Sequence, residues 1–137
     1  MTVLQKRALL IVITGTLSVV GYLILLVVFA KPAAALSAFG LMGFCGIAPL
    51  IGKGEKLDER DKSISKHAAL SGFAMSYLVF IAGNMCVWLK VFSFENLESV
   101  SVHVLPMIVL IGGVVMYLTW GVVVLVLYGR HVEAEHV

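Results

Sequence analysis

A chain of 137 residues that is 61% hydrophobic and 13% charged departs far from an ordinary soluble domain, which is about half apolar and about a quarter charged. A soluble fold this short buries only about two-thirds of its surface, so much of that apolar side chain would face water; a bilayer removes the conflict. The net charge of +2 lacks the basic footprint of a nucleic-acid-binding protein, and the length suits a single domain, 1–137.

Four uncharged stretches follow one another: 8–30, 32–52, 68–89 and 104–129. Each exceeds the ~18 residues that mark a transmembrane helix, and helices satisfy their own peptide groups where lipid cannot. The expected fold is therefore an all-α four-transmembrane-helix bundle with antiparallel neighbours. Basic residues set its direction. With the N-terminus inside, Lys6, Arg7, Lys53, Lys56, Arg60, Lys62, Lys66 and Arg130 are cytoplasmic, and only Lys31 and Lys90 are outside. Both termini are then cytoplasmic and the chain is a multi-pass protein of the plasma membrane. Trp88, Phe92 and Phe94 fall near the outer boundary and Tyr128 near the inner one, where amphipathic rings settle.

The first stretch has the basic start of a signal peptide, with Ala33–Ala35 as a cleavage site, but its apolar run outlasts the 7–15 residues of a signal h-region. Lys31 and Pro32 form nearly all of the first outer turn, and proline suits the first position of a helix. Pro106 reads the same way in the fourth stretch. Pro49 lies inside the second and should kink or end it. That second stretch carries Ala34, Ala38, Gly40, Gly43 and Gly46, the third Ala68, Gly72 and Ser76, and the fourth Gly113 and Gly121. Such small residues let helices approach closely. Gly40, Gly43, Gly46, Gly72, Ser76 and Gly113 are thus expected packing positions, with the glycine-rich second helix the most buried. A homo-oligomer contact is the alternative use of the same residues. Asn84, the most polar side chain at depth, is expected to hydrogen-bond to another helix.

The inner loop 53–67 reads KGEKLDERDKSISKH. Asp58 is a good N-cap, and Glu59 and Asp61 sit where the helix dipole favours negative charge. Lys62 follows Asp58 by four residues, the spacing of a weak helical ion pair. Leu57, Ile64 and Ala68 form an apolar stripe that runs on into the third span, so one long helix from Glu59 to Lys90 should stand about two turns proud of the membrane. Acids nearly cancel bases here, which favours a protein partner over anionic lipid. The expected docking residues are Asp58, Glu59, Arg60, Asp61 and Ile64.

The run Asp58-Glu59-Arg60-Asp61 followed by Ile64 and Ala68-Ala69 resembles the D-E-R-x-x-x-I signature that precedes a membrane span in a family of small prokaryotic membrane proteins of unknown function. The resemblance covers about a quarter of the chain. It implies a prokaryotic multi-span protein and carries no established activity.

No acidic residue falls within a span, whereas proton-coupled transporters carry ionisable groups at membrane depth. Cys45 and Cys86 differ in depth by about 15 Å at 1.5 Å per helical residue, too far for a disulfide, and both read as small buried apolar groups. His67, His103, His131 and His136 form no metal-ligand spacing, and no nucleophile elbow, phosphate loop or zincin motif occurs. The sequence therefore implies no catalytic, metal or cofactor site. It points to a non-enzymatic accessory or regulatory subunit that offers its inner loop to a cytoplasmic partner; the alternative is a small oligomeric transporter or channel.

Overall fold

The computed structural model describes residues 1–52, 57–93 and 104–134. The expected placements of Lys53, Lys56, Phe94 and His103, together with residues 135–137, lie outside them. Among the described residues every regular element is helical: α1 (Val3–Phe29), a single turn α2 (Pro32–Ala35), a 3₁₀ helix (Leu36–Leu50), α3 (Glu59–Ser93) and α4 (Val104–Ala134). The all-α bundle expected from the sequence is the observed fold.

Local signals account for the helix ends. Thr2 caps α1 through its hydroxyl, which accepts from the Gln5 amide, while the Gln5 side chain returns a bond to the Thr2 amide. This reciprocal cap satisfies two N–H groups that a helix start leaves free. At the other end Ala30 adopts the left-handed conformation and donates its N–H to the Leu26 carbonyl. Lys31 then accepts from Ala34 and Ala35 across the tight turn, and Pro32 opens the next helix.

Three helices, Val3–Phe29, Glu59–Lys90 and Val104–Gly129, are long and apolar enough to cross a membrane, and Leu36–Leu50 is a shorter apolar helix. The large side chains point outward: Leu17, Leu23, Val27, Leu70, Phe73, Leu78, Leu105, Val109 and Val126 are all exposed. The interior is lined by small groups such as Ala8, Gly15, Ser18, Ala38, Ala48, Ala68 and Gly72. Small residues inside and bulky apolar ones outside is the arrangement of helices that associate in lipid, where burying a leucine gains nothing over leaving it among acyl chains. The chain is an integral membrane protein.

The second stretch is not the α-helix its length suggests. After Ala35 it winds as a 15-residue 3₁₀ helix. At three residues per turn the side chains at i and i+3 eclipse, which normally keeps such runs short. Here Gly40, Gly43 and Gly46 are three apart, so one of the three rows has almost no side chain to eclipse. The row Phe39, Met42, Cys45 and Ala48 turns inward, and the row Leu41, Phe44, Ile47 and Leu50 is exposed. At about 2.0 Å per residue the segment reaches about 30 Å, which matches the hydrocarbon thickness of a bilayer. Pro49 comes one residue before its end.

Helix α1 lies between the 3₁₀ helix and α4, and α4 lies against α3 along most of its length. The close approaches occur at glycines. A Cβ on Gly72 would stand 2.6 Å from the Met116 carbonyl oxygen, and one on Gly112 would stand 3.3 Å from Ser76 Oγ. Between α1 and α4, a Cβ on Gly121 would meet Val12 at 2.6 Å and the Ala8 carbonyl oxygen at 3.2 Å.

These contacts correct part of the expected packing. Gly72 and Ser76 do sit at the α3–α4 contact. Gly40, Gly43, Gly46 and Gly113 have nothing within 4 Å of where a Cβ would be. The glycine row of the 3₁₀ helix faces open space, because the buried row is the one carrying Phe39, Cys45 and Ala48. On α4 the contact falls to Gly112, one residue and about 100° of helical turn from Gly113. Among the described residues Asn84 does not link helices either: its amide donates to the Phe80 carbonyl of its own helix at 2.7 Å. The buried interhelical polar bond belongs to Ser18, whose hydroxyl donates to the Ala38 carbonyl at 3.0 Å. Cys45 is buried as expected, but Cys86 is exposed, and both are free thiols.

Candidate functional site

The basic end of the molecule gathers the chemically distinctive side chains. Asp58 accepts the backbone N–H of Lys62 on its carbonyl, at 3.0 Å, and the N–H of Glu59 on Oδ1, at 2.7 Å. It therefore caps α3, through the first amide of the helix. No ion pair joins it to Lys62 among the described residues, so the support expected from that i,i+4 spacing comes through the backbone instead.

The next residues turn inward onto α4. Asp61 Oδ1 accepts a hydrogen bond from the Tyr128 hydroxyl. The Arg60 guanidinium lies over the same ring, 5.8 Å from its centroid, within the range of cation–π attraction. Ile64 is buried in a cluster with Leu4, Ala8, Ala68, Val124 and Tyr128, and Leu57 rests against that cluster. The apolar stripe of Leu57, Ile64 and Ala68 thus continues the core beyond the apolar span. Tyr128 is not a ring at the lipid boundary, as its position near the inner end suggested. It is 6% exposed, and it ties the start of α3 to the end of α4.

The expected docking residues therefore divide. Ile64 is core, Asp61 is half-buried against Tyr128, and Arg60 covers that ring. Asp58 and Glu59 are exposed. Glu59, Lys62, Ser63 and Lys66, all exposed, recur at i, i+3, i+4 and i+7, which places them on one face of the helix. At 100° per residue that face is opposite Ile64. It bears one acid, two bases and a hydroxyl.

A second feature had no separate signal in the sequence beyond its charge. Arg7 reaches from the first turns of α1 to the end of the 3₁₀ helix. Its Nε and Nη2 donate to the Ile51 carbonyl at 3.0 and 2.8 Å, and Nη2 also donates to the Pro49 carbonyl at 3.2 Å. A cation at a helix C-terminus meets both the free carbonyls and the negative end of the dipole. The chain then turns at Gly52, whose φ of +68° suits glycine and where a Cβ would stand 2.5 Å from Val3 Cγ1.

Between these features lies a cavity of about 610 Å³. Its walls come from all four membrane segments: Arg7 and Ile11 of α1, Cys45 and Pro49 of the 3₁₀ helix, Ser65, Ala69 and Phe73 of α3, and Met116, Tyr117 and Trp120 of α4. Among the described residues no group of three or more His, Cys, Asp or Glu side chains could hold a metal ion.

No family model, no curated protein and no solved structure matches this chain.

Proposed function

We propose that the protein is a non-enzymatic accessory or regulatory subunit of the plasma membrane whose cytoplasmic helix start, 58–67, docks a partner protein. The observation that carries this reading is the division of labour along that segment. Arg60, Asp61 and Ile64 are spent on holding α3 to α4, which leaves Glu59, Lys62, Ser63 and Lys66 exposed on a braced helix. A surface fixed in advance loses little side-chain and backbone freedom on binding. Its mixed charge favours a protein with complementary charges over anionic lipid, which selects unbalanced basic clusters.

The test is a crosslinking pull-down from intact membranes. The native chain is compared with a triple variant, Glu59→Lys, Lys62→Glu and Lys66→Glu, which reverses the exposed stripe and leaves the Tyr128 contacts alone. A partner captured by the native chain and lost with the triple variant is expected. Identical capture by both chains, or none by either, counts against docking. Solute flux in reconstituted vesicles separates this reading from that of a small transporter; the accessory role expects none above empty vesicles.

A further inference from the structure

The 610 Å³ cavity is within the usual 300–1,000 Å³ range of small-molecule sites. Its position explains why the bundle leaves it. The 3₁₀ helix packs on α1 and α3 packs on α4, with little direct contact between the 3₁₀ helix and α3. The gap between them is floored by α1 and α4. Phe73, Tyr117 and Trp120 line the deep part and Arg7 its polar end. Arg7 is itself half-buried. Its Nε and Nη2 are committed to the Ile51 and Pro49 carbonyls, whereas Nη1 donates to nothing among the described residues. No carboxylate among the described residues pairs with its charge. A guanidinium held rigidly by two carbonyls, with one amine free and an apolar chamber beside it, complements an anionic head on a hydrocarbon tail.

We infer that this cavity is a binding site for one anionic phospholipid, with its phosphate at Arg7 Nη1 and an acyl chain against Phe73, Tyr117 and Trp120. The site is separate from the proposed docking stripe and does not depend on it. The occupant is a lipid rather than a soluble anion because the cavity walls beyond Arg7 are mostly apolar and run into the membrane-spanning part of α3 and α4. It is anionic rather than zwitterionic because the charged side chain lining the chamber among the described residues, Arg7, is a cation. It is distinct from the exposed stripe of α3, which carries an acid, Glu59, beside its bases Lys62 and Lys66.

The two tryptophans, Trp88 and Trp120, supply the readout. A Trp88→Phe chain keeps Trp120 as its single emitter. It is reconstituted in phosphatidylcholine vesicles containing equal fractions of either phosphatidylglycerol or phosphatidylcholine brominated on its acyl chain, and Trp120 quenching is recorded. The brominated phosphatidylglycerol should quench with a relative association constant about fivefold higher, the factor one basic side chain gives at an anionic lipid surface. Arg7→Gln should abolish that preference. Because Arg7 also secures the 3₁₀ helix, a second variant leaves it in place. Gly46 lines the cavity and has open space at its Cβ, so Gly46→Leu fills the chamber without a clash and should also abolish the preference. Equal quenching by the two lipids in the Trp88→Phe chain, or a preference that survives Gly46→Leu, overturns the proposal.

Discussion

Two sets of glycines occupy this membrane domain and do opposite things. On α3 and α4, Gly72 and Gly121 stand where a neighbouring helix comes so close that a methyl group would collide with it, and Gly112 where one would press on the Ser76 hydroxyl. On the 3₁₀ helix, Gly40, Gly43 and Gly46 have nothing within 4 Å of where a Cβ would be, and Gly46 borders the cavity. The first set permits contact between helices. The second permits an unusual winding of its own helix, by emptying a row in which side chains would otherwise eclipse. Glycine abundance in a span therefore does not by itself identify a packing surface; the spacing and the rotation of the helix decide which use applies.

The comparison can be broken most directly by enlarging one glycine of each set. Gly72→Leu drives a side chain toward the Met116 carbonyl and should destabilise the protein by about 3 kcal/mol, the upper part of the range for overpacking. Gly43→Leu should cost under about 0.5 kcal/mol, because it meets no neighbouring helix and its own i±3 neighbours, Gly40 and Gly46, carry no side chain to eclipse it. Denaturation in mixed micelles, followed by circular dichroism, measures both. Similar losses for the two would remove the distinction. Arg7→Ala comes next. It strips the Ile51 and Pro49 carbonyls of a charged donor, and about 2 kcal/mol should be lost, in line with hydrogen bonds to charged groups. Protease accessibility of the turn at Ile51–Gly52 should rise in step, and an unchanged cleavage rate would show that Arg7 does not secure that end. The smallest effect sharpens the polar contrast. Ser18→Ala removes the buried bond to Ala38 and should cost about 0.6 kcal/mol, the mean for polar bonds between membrane helices. Asn84→Ala should cost less, because its bond to Phe80 stays within one helix. If the order of those two losses were reversed, Asn84 would be the interhelical link after all.

Much of the architecture was legible in the sequence for a plain reason. Uncharged runs of more than about 18 residues have no stable place in water, so the helices and their number follow from counting. The start of α3 at Glu59 was legible too, since Asp58 is a strong cap and acids follow it. The T-x-x-Q run at Thr2 and Gln5 was an available capping signal for α1. Rotation about the helix axis was not legible. When every face of a segment is apolar, hydropathy does not say which residue points inward, so Gly113 could not be told from Gly112, nor Asn84 from a true interhelical donor. Contacts between distant parts of the chain were hidden for a different reason. Arg7 with Ile51, and Asp61 with Tyr128, are 44 and 67 residues apart. Local spacing carries no trace of either, yet the second determines which charges remain exposed at the start of α3.

The winding of the second segment ties its shape to its surroundings. Coiled as an α-helix, the same 15 residues would cover only about 22 Å at 1.5 Å each, well short of the roughly 30 Å of hydrocarbon they face. Stretching into the slimmer coil closes that gap of about 8 Å without a longer chain. The Lys31–Ala35 turn at one end and Arg7 at the other hold the two ends of that longer reach in place.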